Sequence, residues 1–88
     1  MIMPQVSRFF GIVIYMYFND HSPPHFHAVY GEFEAVYTIE TLEIMRGTLP
    51  RRAHSMVVEW ASLYRQDIWD NWRRAGAMQP LEAIDPLE

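Results

Sequence analysis

His25–Ile39, with the sequence HFHAVYGEFEAVYTI, is the run that decides the fold. Phe33, Ala35, Tyr37 and Ile39 alternate with Glu32, Glu34, Val36, Thr38 and Glu40, the period-two pattern of a strand with two unlike faces. His25–Tyr30 reads as a second short strand, and Gly31 separates the two, so the pair predicts an antiparallel hairpin. If Phe26, Ala28 and Tyr30 face the core, His25 and His27 share the opposite face.

Upstream, Phe9–Phe18 is rich in aromatic and β-branched residues and stops at the turn signal Asn19–Asp20, which predicts one further strand. It is apolar on both sides: Phe10, Ile12, Ile14, Met16 and Phe18 alternate with Val13, Tyr15 and Tyr17, so the second face is expected to meet something, such as a partner. Asn19–Pro24 contains two prolines and reads as a loop. Downstream, Leu42–Met45 is a further short strand or an extended link, broken by Gly47.

From Leu49 to Ala75 the period changes. Ala53, Met56, Val57, Trp60, Ala61, Tyr64, Ile68, Trp72 and Ala75 recur at three- and four-residue spacing, an apolar stripe that predicts one long helix lying on the sheet. Thr48 is the expected N-cap, Pro50 fits the first turn, and Gly76 sits where a left-handed C-cap belongs. Leu81, Ile84 and Leu87 punctuate an extended tail that is expected to add an edge strand or cross to a neighbour. The expectation is an α/β chain of the α+β type, one domain over 1–88. It comprises an antiparallel sheet of three to four strands within 9–46, one helix over 49–75 and a tail over 77–88.

Composition narrows the function classes. At 88 residues the chain has room for one core, and with half its residues hydrophobic it can bury enough surface to fold. The absence of cysteine excludes disulfides and thiolate metal sites and fits a cytoplasmic chain. No leader pattern opens the sequence, and Phe9–Phe18 is about half a membrane span, so no membrane role is expected. A net charge of −4 disfavours nucleic acid as a partner, because that affinity rests on cations that release counterions. All seven basic residues are arginine, the side chain suited to bidentate contacts with carboxylates or phosphates.

Candidate chemistry gathers in Asn19–His27, where three of the four histidines and one carboxylate lie close together. Asp20, His21, His25 and His27 are the donor types that hold zinc or another divalent transition ion, with room for a bound water. Alternatively a histidine of this segment shuttles a proton while Arg46, Arg51 or Arg52 stabilises an oxyanion or phosphate, as a small ribonuclease would require. A third reading gives the prolines and histidines a purely structural role in a rigid loop. His54 falls at the edge of the helical stripe and reads as a packing residue. Trp69 lies almost opposite the stripe between Arg65 and Arg73, a composition typical of interface anchors. Asp67 and Asn71 fall inside the stripe's arc, as in a helix running beyond the sheet edge.

The strand ending at Phe18, the Asp20/His21/Pro24–His25–Phe26–His27 segment, the Gly47–Leu49–Pro50 helix entry and Trp60 with Trp72 together resemble the 4160 family of domains of unknown function. The resemblance covers nearly the whole chain. It implies a small bacterial protein accompanied by another small domain encoded beside it, in an arrangement like a toxin–antitoxin pair. It assigns no catalytic residue.

Two functional expectations result. One is an interaction module that binds a cognate small protein or itself through Tyr15, Tyr17 and the Trp69 region with Arg65 and Arg73. The other is a nuclease-like toxin or metal-dependent hydrolase that uses His21, His25 and His27, with Asp20 as ligand or orienting group and Arg51 or Arg52 as anion clamp. A DNA-binding regulator is a weaker third, since one helix supplies no helix-turn-helix.

Overall fold

Phe10 and Gly11 both take positive φ, 49° and 82°, in the computed structural model, which describes residues 4–88. Residues 1–3 of the expected domain lie outside the described residues. Two left-handed residues in succession make a type I′ connection, whose twist matches that of the strands it joins. It joins β1 (Gln5–Phe9) to β2 (Ile12–Tyr15), with Phe9 opposite Ile12. The predicted strand Phe9–Phe18 is therefore a hairpin end and a second strand. Its uninterrupted apolar character concealed the turn, because Phe10 is an unusual residue for a left-handed position.

Three more strands complete an antiparallel meander in chain order: β3 (His25–Tyr30), β4 (Phe33–Thr38) and β5 (Ile44–Gly47). The expected three to four strands become five, and the expected β3–β4 hairpin is present with Tyr30 opposite Phe33. β5 begins two residues later than the Leu42–Met45 reading, since Leu42 adopts a positive φ of 62° in the preceding turn. Gly47 ends β5 with φ +80°, and a Cβ there would collide with the Glu34 carbonyl, so glycine alone lets β5 approach β4 so closely.

The single long helix is also corrected. α1 runs Arg51–Leu63 and α2 Arg65–Gly76, separated by Tyr64 at φ −117°, ψ 25°. The stripe keeps its spacing across the break: Tyr64 N–H still bonds the Trp60 carbonyl, and Ile68 N–H the Tyr64 carbonyl. A one-residue bend that preserves both bonds leaves no mark on apolar periodicity. Pro50, not Thr48, occupies the N-cap position, without a side-chain cap bond. The left-handed residue after α2 is Met78, at φ 59°, while Gly76 is its last helical residue.

The core lies between one sheet face and the helices. Ile12, Ile14, Phe26, Ala28, Ala35 and Tyr37 meet Ala53, Val57, Trp60, Ala61 and Ile68. Trp60 anchors this layer, 5.4 Å from the Phe9 ring and edge-on to Phe26 at 6.0 Å. Complete burial of side chains of this size contributes about 1.5–3 kcal/mol each. His54 stacks on Tyr37 and lies 2.8 Å from its hydroxyl, matching the packing role read for it.

The tail returns across the core without joining the sheet as a strand. Ile84 N–H bonds the Val6 carbonyl, and Trp60 Nε1–H bonds the Asp85 carbonyl at 2.8 Å. Fully buried Asn71 donates to the Glu82 carbonyl and accepts from Glu82 N–H, at 2.8 and 2.9 Å. A polar residue inside the stripe is thus the tail's docking point. Trp69, two residues before it in sequence, packs part-buried against the core, while Arg65 and Arg73 are exposed, Arg73 on Asp70 at 2.8 Å. No helix among the described residues is long and apolar enough to cross a membrane.

Candidate metal centre

Strand pairing builds the site on the sheet face opposite the helical core. Tyr15 is opposite His27, His27 opposite Val36, and Val36 opposite Arg46, so one row of four side chains crosses β2 to β5. His25 stands two residues before His27 on the same face. Asp20 is brought over them by the Asn19–Pro24 loop, which is tied down at both ends: Asn19 N–H bonds the Ala75 carbonyl at the end of α2, and Ile39 N–H bonds the Pro24 carbonyl. His21 N–H holds Asp20 Oδ1 at 2.9 Å, which leaves Oδ2 facing the two rings.

Each ring is fixed by its Nδ1. His25 Nδ1 lies 2.6 Å from the Pro23 carbonyl, which only accepts, so that nitrogen carries the proton. His27 Nδ1 lies 3.2 Å from Glu34 Oε2. The Tyr15 hydroxyl bond is the main cause that holds the Glu34 carboxyl below its ordinary value; burial opposes it and His27 adds to it. Glu34 is thus ionised and accepts from His27 Nδ1–H. The same contact, after burial, pushes the Tyr15 hydroxyl well up, so it remains a donor.

Both Nε2 atoms therefore turn toward Asp20 Oδ2, at 2.9 Å for His25, a hydrogen bond where that nitrogen carries a proton, and at 3.8 Å for His27. The three ligand-type atoms lie within 4.8 Å of one another. Burial opposes ionisation of Asp20, yet the His21 N–H and the His25 ring outweigh it and hold the acid below its ordinary value. Burial is also the largest influence on His27, holding it below the usual histidine range against the pull of Glu34. A proton on His25 Nε2 would relieve the short pair only. His27 Nε2, buried and without a hydrogen-bond partner, would remain orphaned.

A cation at the common point would satisfy all three atoms. Zinc with N and O donors at about 2.0–2.2 Å in a tetrahedron spaces those donors roughly 3.3–3.6 Å apart, between the two distances to Asp20 Oδ2 found here. Two imidazoles and one carboxylate leave at least one coordination position open, the ligand count of catalytic sites. The Nδ1–H bonds to Glu34 and to the Pro23 carbonyl are the outer-shell contacts that orient metal-binding histidines. Aromatic walls hold the rings further: Tyr15 stacks on His27 at 4.8 Å, Tyr17 meets it edge-on at 5.0 Å, and Trp72 of α2 lies 5.2 Å from His25.

The cluster opens into a cleft of about 220 Å³ lined by Tyr17, Asp20, His21, Ser22, Pro23, Val36, Met45 and Arg46 together with the two histidines. Of the sequence candidates, Asp20, His25 and His27 come together. The His21 side chain is 97% exposed and lies at the rim, outside the cluster. Arg51 and Arg52 sit at the start of α1, where Arg52 lines a different depression with Phe10, Tyr30 and Met56; Arg46 is the arginine at this cleft. Tyr15 is buried beneath Glu34 and Tyr17 is half-buried, so the second face of β2 meets the histidines of its own sheet.

Glu34 and Trp72 were not read as site residues. A two-residue turn at Gly31–Glu32 sets the register that makes Glu34 the diagonal neighbour of His27, so the pairing was available from turn length. No such local signal marks Trp72.

Fold and site together define a small α+β domain that carries a buried two-histidine, one-carboxylate cluster in a polar cleft. The chain belongs to the family described as "Domain of unknown function (DUF4160)", whose model matches residues 11–73 and so spans the cluster, Glu34 and Trp72. No curated protein and no solved structure matches it.

Proposed function

We propose that this chain is a divalent-metal protein of the hydrolase type, with a zinc-class ion held by Asp20, His25 and His27. The observation that carries the reading is the convergence of three metal-ligand-type atoms, one of them the buried and unpartnered His27 Nε2. An ion of this class acts as a Lewis acid and brings a bound water's pKa to about 7. The chain's own groups do the rest: Glu34 and the Pro23 carbonyl fix the ring tautomers, the His21 N–H aims the Asp20 carboxylate, and Arg46 and Tyr17 line the approach.

Isothermal titration of chelator-treated protein with zinc, nickel and manganese tests this, run beside a His25→Ala/His27→Ala variant. One-to-one uptake that the variant loses is the expected result. Absence of heat with every ion in the folded wild type would remove the reading.

A second reading is the interaction module of a two-gene, toxin–antitoxin-like system in the cytoplasm, binding a cognate small protein or itself. It is favoured by the other end of the sheet, where Phe10 is 60% exposed in a left-handed conformation beside Tyr30 and Met56. A bulky residue shown to solvent at a strained turn is costly to keep without a use. Phe10→Ser would abolish association measured by sedimentation under this reading and leave metal uptake unchanged under the first.

A further inference from the structure

We infer that the cleft binds a phosphate group, held between the ion at Asp20, His25 and His27 and the guanidinium of Arg46. This rests on the metal reading above and adds the chemical class of the ligand. Arg46 lies in the same cross-strand row as His27, separated from it by Val36 alone, and its side chain lines the same cleft. Among the described residues it makes no ion pair within 4.0 Å, although its charge helps hold the Glu34 carboxyl below its ordinary value.

Asp20 is the one acidic residue that lines the cleft, and as a ligand its charge is spent on the ion. The remaining polar walls are the Tyr17 and Ser22 hydroxyls, the exposed His21 ring and Arg46, all able to donate. A doubly charged ion and a guanidinium facing one cavity with donor walls select an anion.

The number of oxygens then discriminates between anions. Arginine's planar fork is satisfied by two acceptor atoms, and the metal's open position takes a third. A carboxylate has only two oxygens, so one of them would have to serve the fork and the metal at once. A phosphate presents three terminal oxygens even as a monoester, enough for both, and inorganic phosphate has a fourth for a hydroxyl of Tyr17 or Ser22. The volume of about 220 Å³, roughly seven waters' share of liquid, admits a phosphoryl group with part of the molecule that carries it.

The test uses the full chain loaded with cobalt(II), whose visible absorption reports uptake independently of any anion. Inorganic phosphate is titrated in and its phosphorus-31 relaxation followed, since only phosphate close to the bound paramagnetic ion relaxes fast. We expect saturable relaxation enhancement in the wild type. Arg46→Gln should take up cobalt equally well and bind phosphate tenfold or more weakly, with Arg46→Lys in between. Enhancement that is absent, equal in Arg46→Gln, or abolished as readily by acetate as by competing phosphate would overturn the phosphate site and leave the metal reading standing. Failure of the cobalt band itself would overturn both, and the two failures are told apart by the visible spectrum alone.

Discussion

Replacing Glu34 by alanine tests the logic of the centre without touching a ligand. Glu34 Oε2 receives both the Tyr15 hydroxyl and His27 Nδ1–H, so the substitution frees the ring to swap tautomers and place its proton on Nε2, the atom that the proposed metal site requires as donor. Loss of an outer-shell partner of this kind costs about 10–100-fold in metal affinity, equivalent to roughly 1.4–2.7 kcal/mol. The upper half of that range is not expected here. The Glu34 side chain is 49% exposed, so water can reach the vacated position and restore part of the bond to Nδ1. Glu34→Gln keeps an accepting oxygen and loses only the charge, and should fall below the alanine variant in effect. Competition titration against a chromophoric chelator measures all three proteins, with chemical denaturation of the metal-free forms as a control on folding. An alanine variant that folds and binds zinc as tightly as the wild type would refute the argument that Glu34 fixes the donor atom of His27.

Three further perturbations bear on the scaffold. Gly47→Ala places a Cβ against the Glu34 carbonyl at a left-handed position; it should cost more than about 2 kcal/mol in urea denaturation, and a loss under about 0.5 would contradict the close approach. Asn71→Leu keeps the volume but strips both bonds to the Glu82 backbone. A loss of about 1–3 kcal/mol with faster hydrogen exchange at the Ile84 amide is expected, and unchanged exchange would count against this docking point. Burial pushes the Tyr37 hydroxyl up from 10.0 to about 12. The stability it contributes is therefore complete below pH 10 and drains away as pH rises towards 12, by roughly 3 kcal/mol at about 1.4 kcal/mol per pH unit. Tyr15 acts in the same direction, so Tyr37→Phe should shrink this alkaline loss without abolishing it, as followed by circular dichroism across that window.

The parts of the fold that were legible in the sequence are those where one physical rule acts alone. Alternation in Phe33–Thr38 and the glycine at 31 were enough for the β3–β4 hairpin, and with it for the shared face of His25 and His27. The helical stripe was legible as a stripe, but its bend was not, because Tyr64 interrupts the backbone without interrupting the spacing of buried side chains. The Phe10–Gly11 turn was hidden for a related reason: a residue chosen against its local preference carries no turn signal, only the glycine after it does. At the site, residue types pointed to Asp20 and the histidines. Which nitrogens face inward, and that Arg46 and not Arg51 or Arg52 reaches the cleft, depend on cross-strand register and a loop anchored to α2. Asn71, which in sequence marks a helix running beyond the sheet edge, bonds the carbonyl and amide of Glu82 in the tail.

The hydrogen bonds that seat the C-terminal tail share one property. Asn71 reads the Glu82 peptide, Val6 reads the Ile84 amide, and Trp60 reads the Asp85 carbonyl, so every one of them falls on the tail's main chain. Main-chain groups are the same whatever the side chain, while their positions along the chain are fixed by residue count. Substitutions at Ala83 and Asp85 therefore leave the seating intact and one at Glu82 removes only its ion pair with Arg74, whereas inserting or deleting one residue between Glu82 and Asp85 puts the partners out of step with one another. Drift in this segment is free in composition and forbidden in length, and Ile84 and Leu87 are the side chains whose apolar character must be kept.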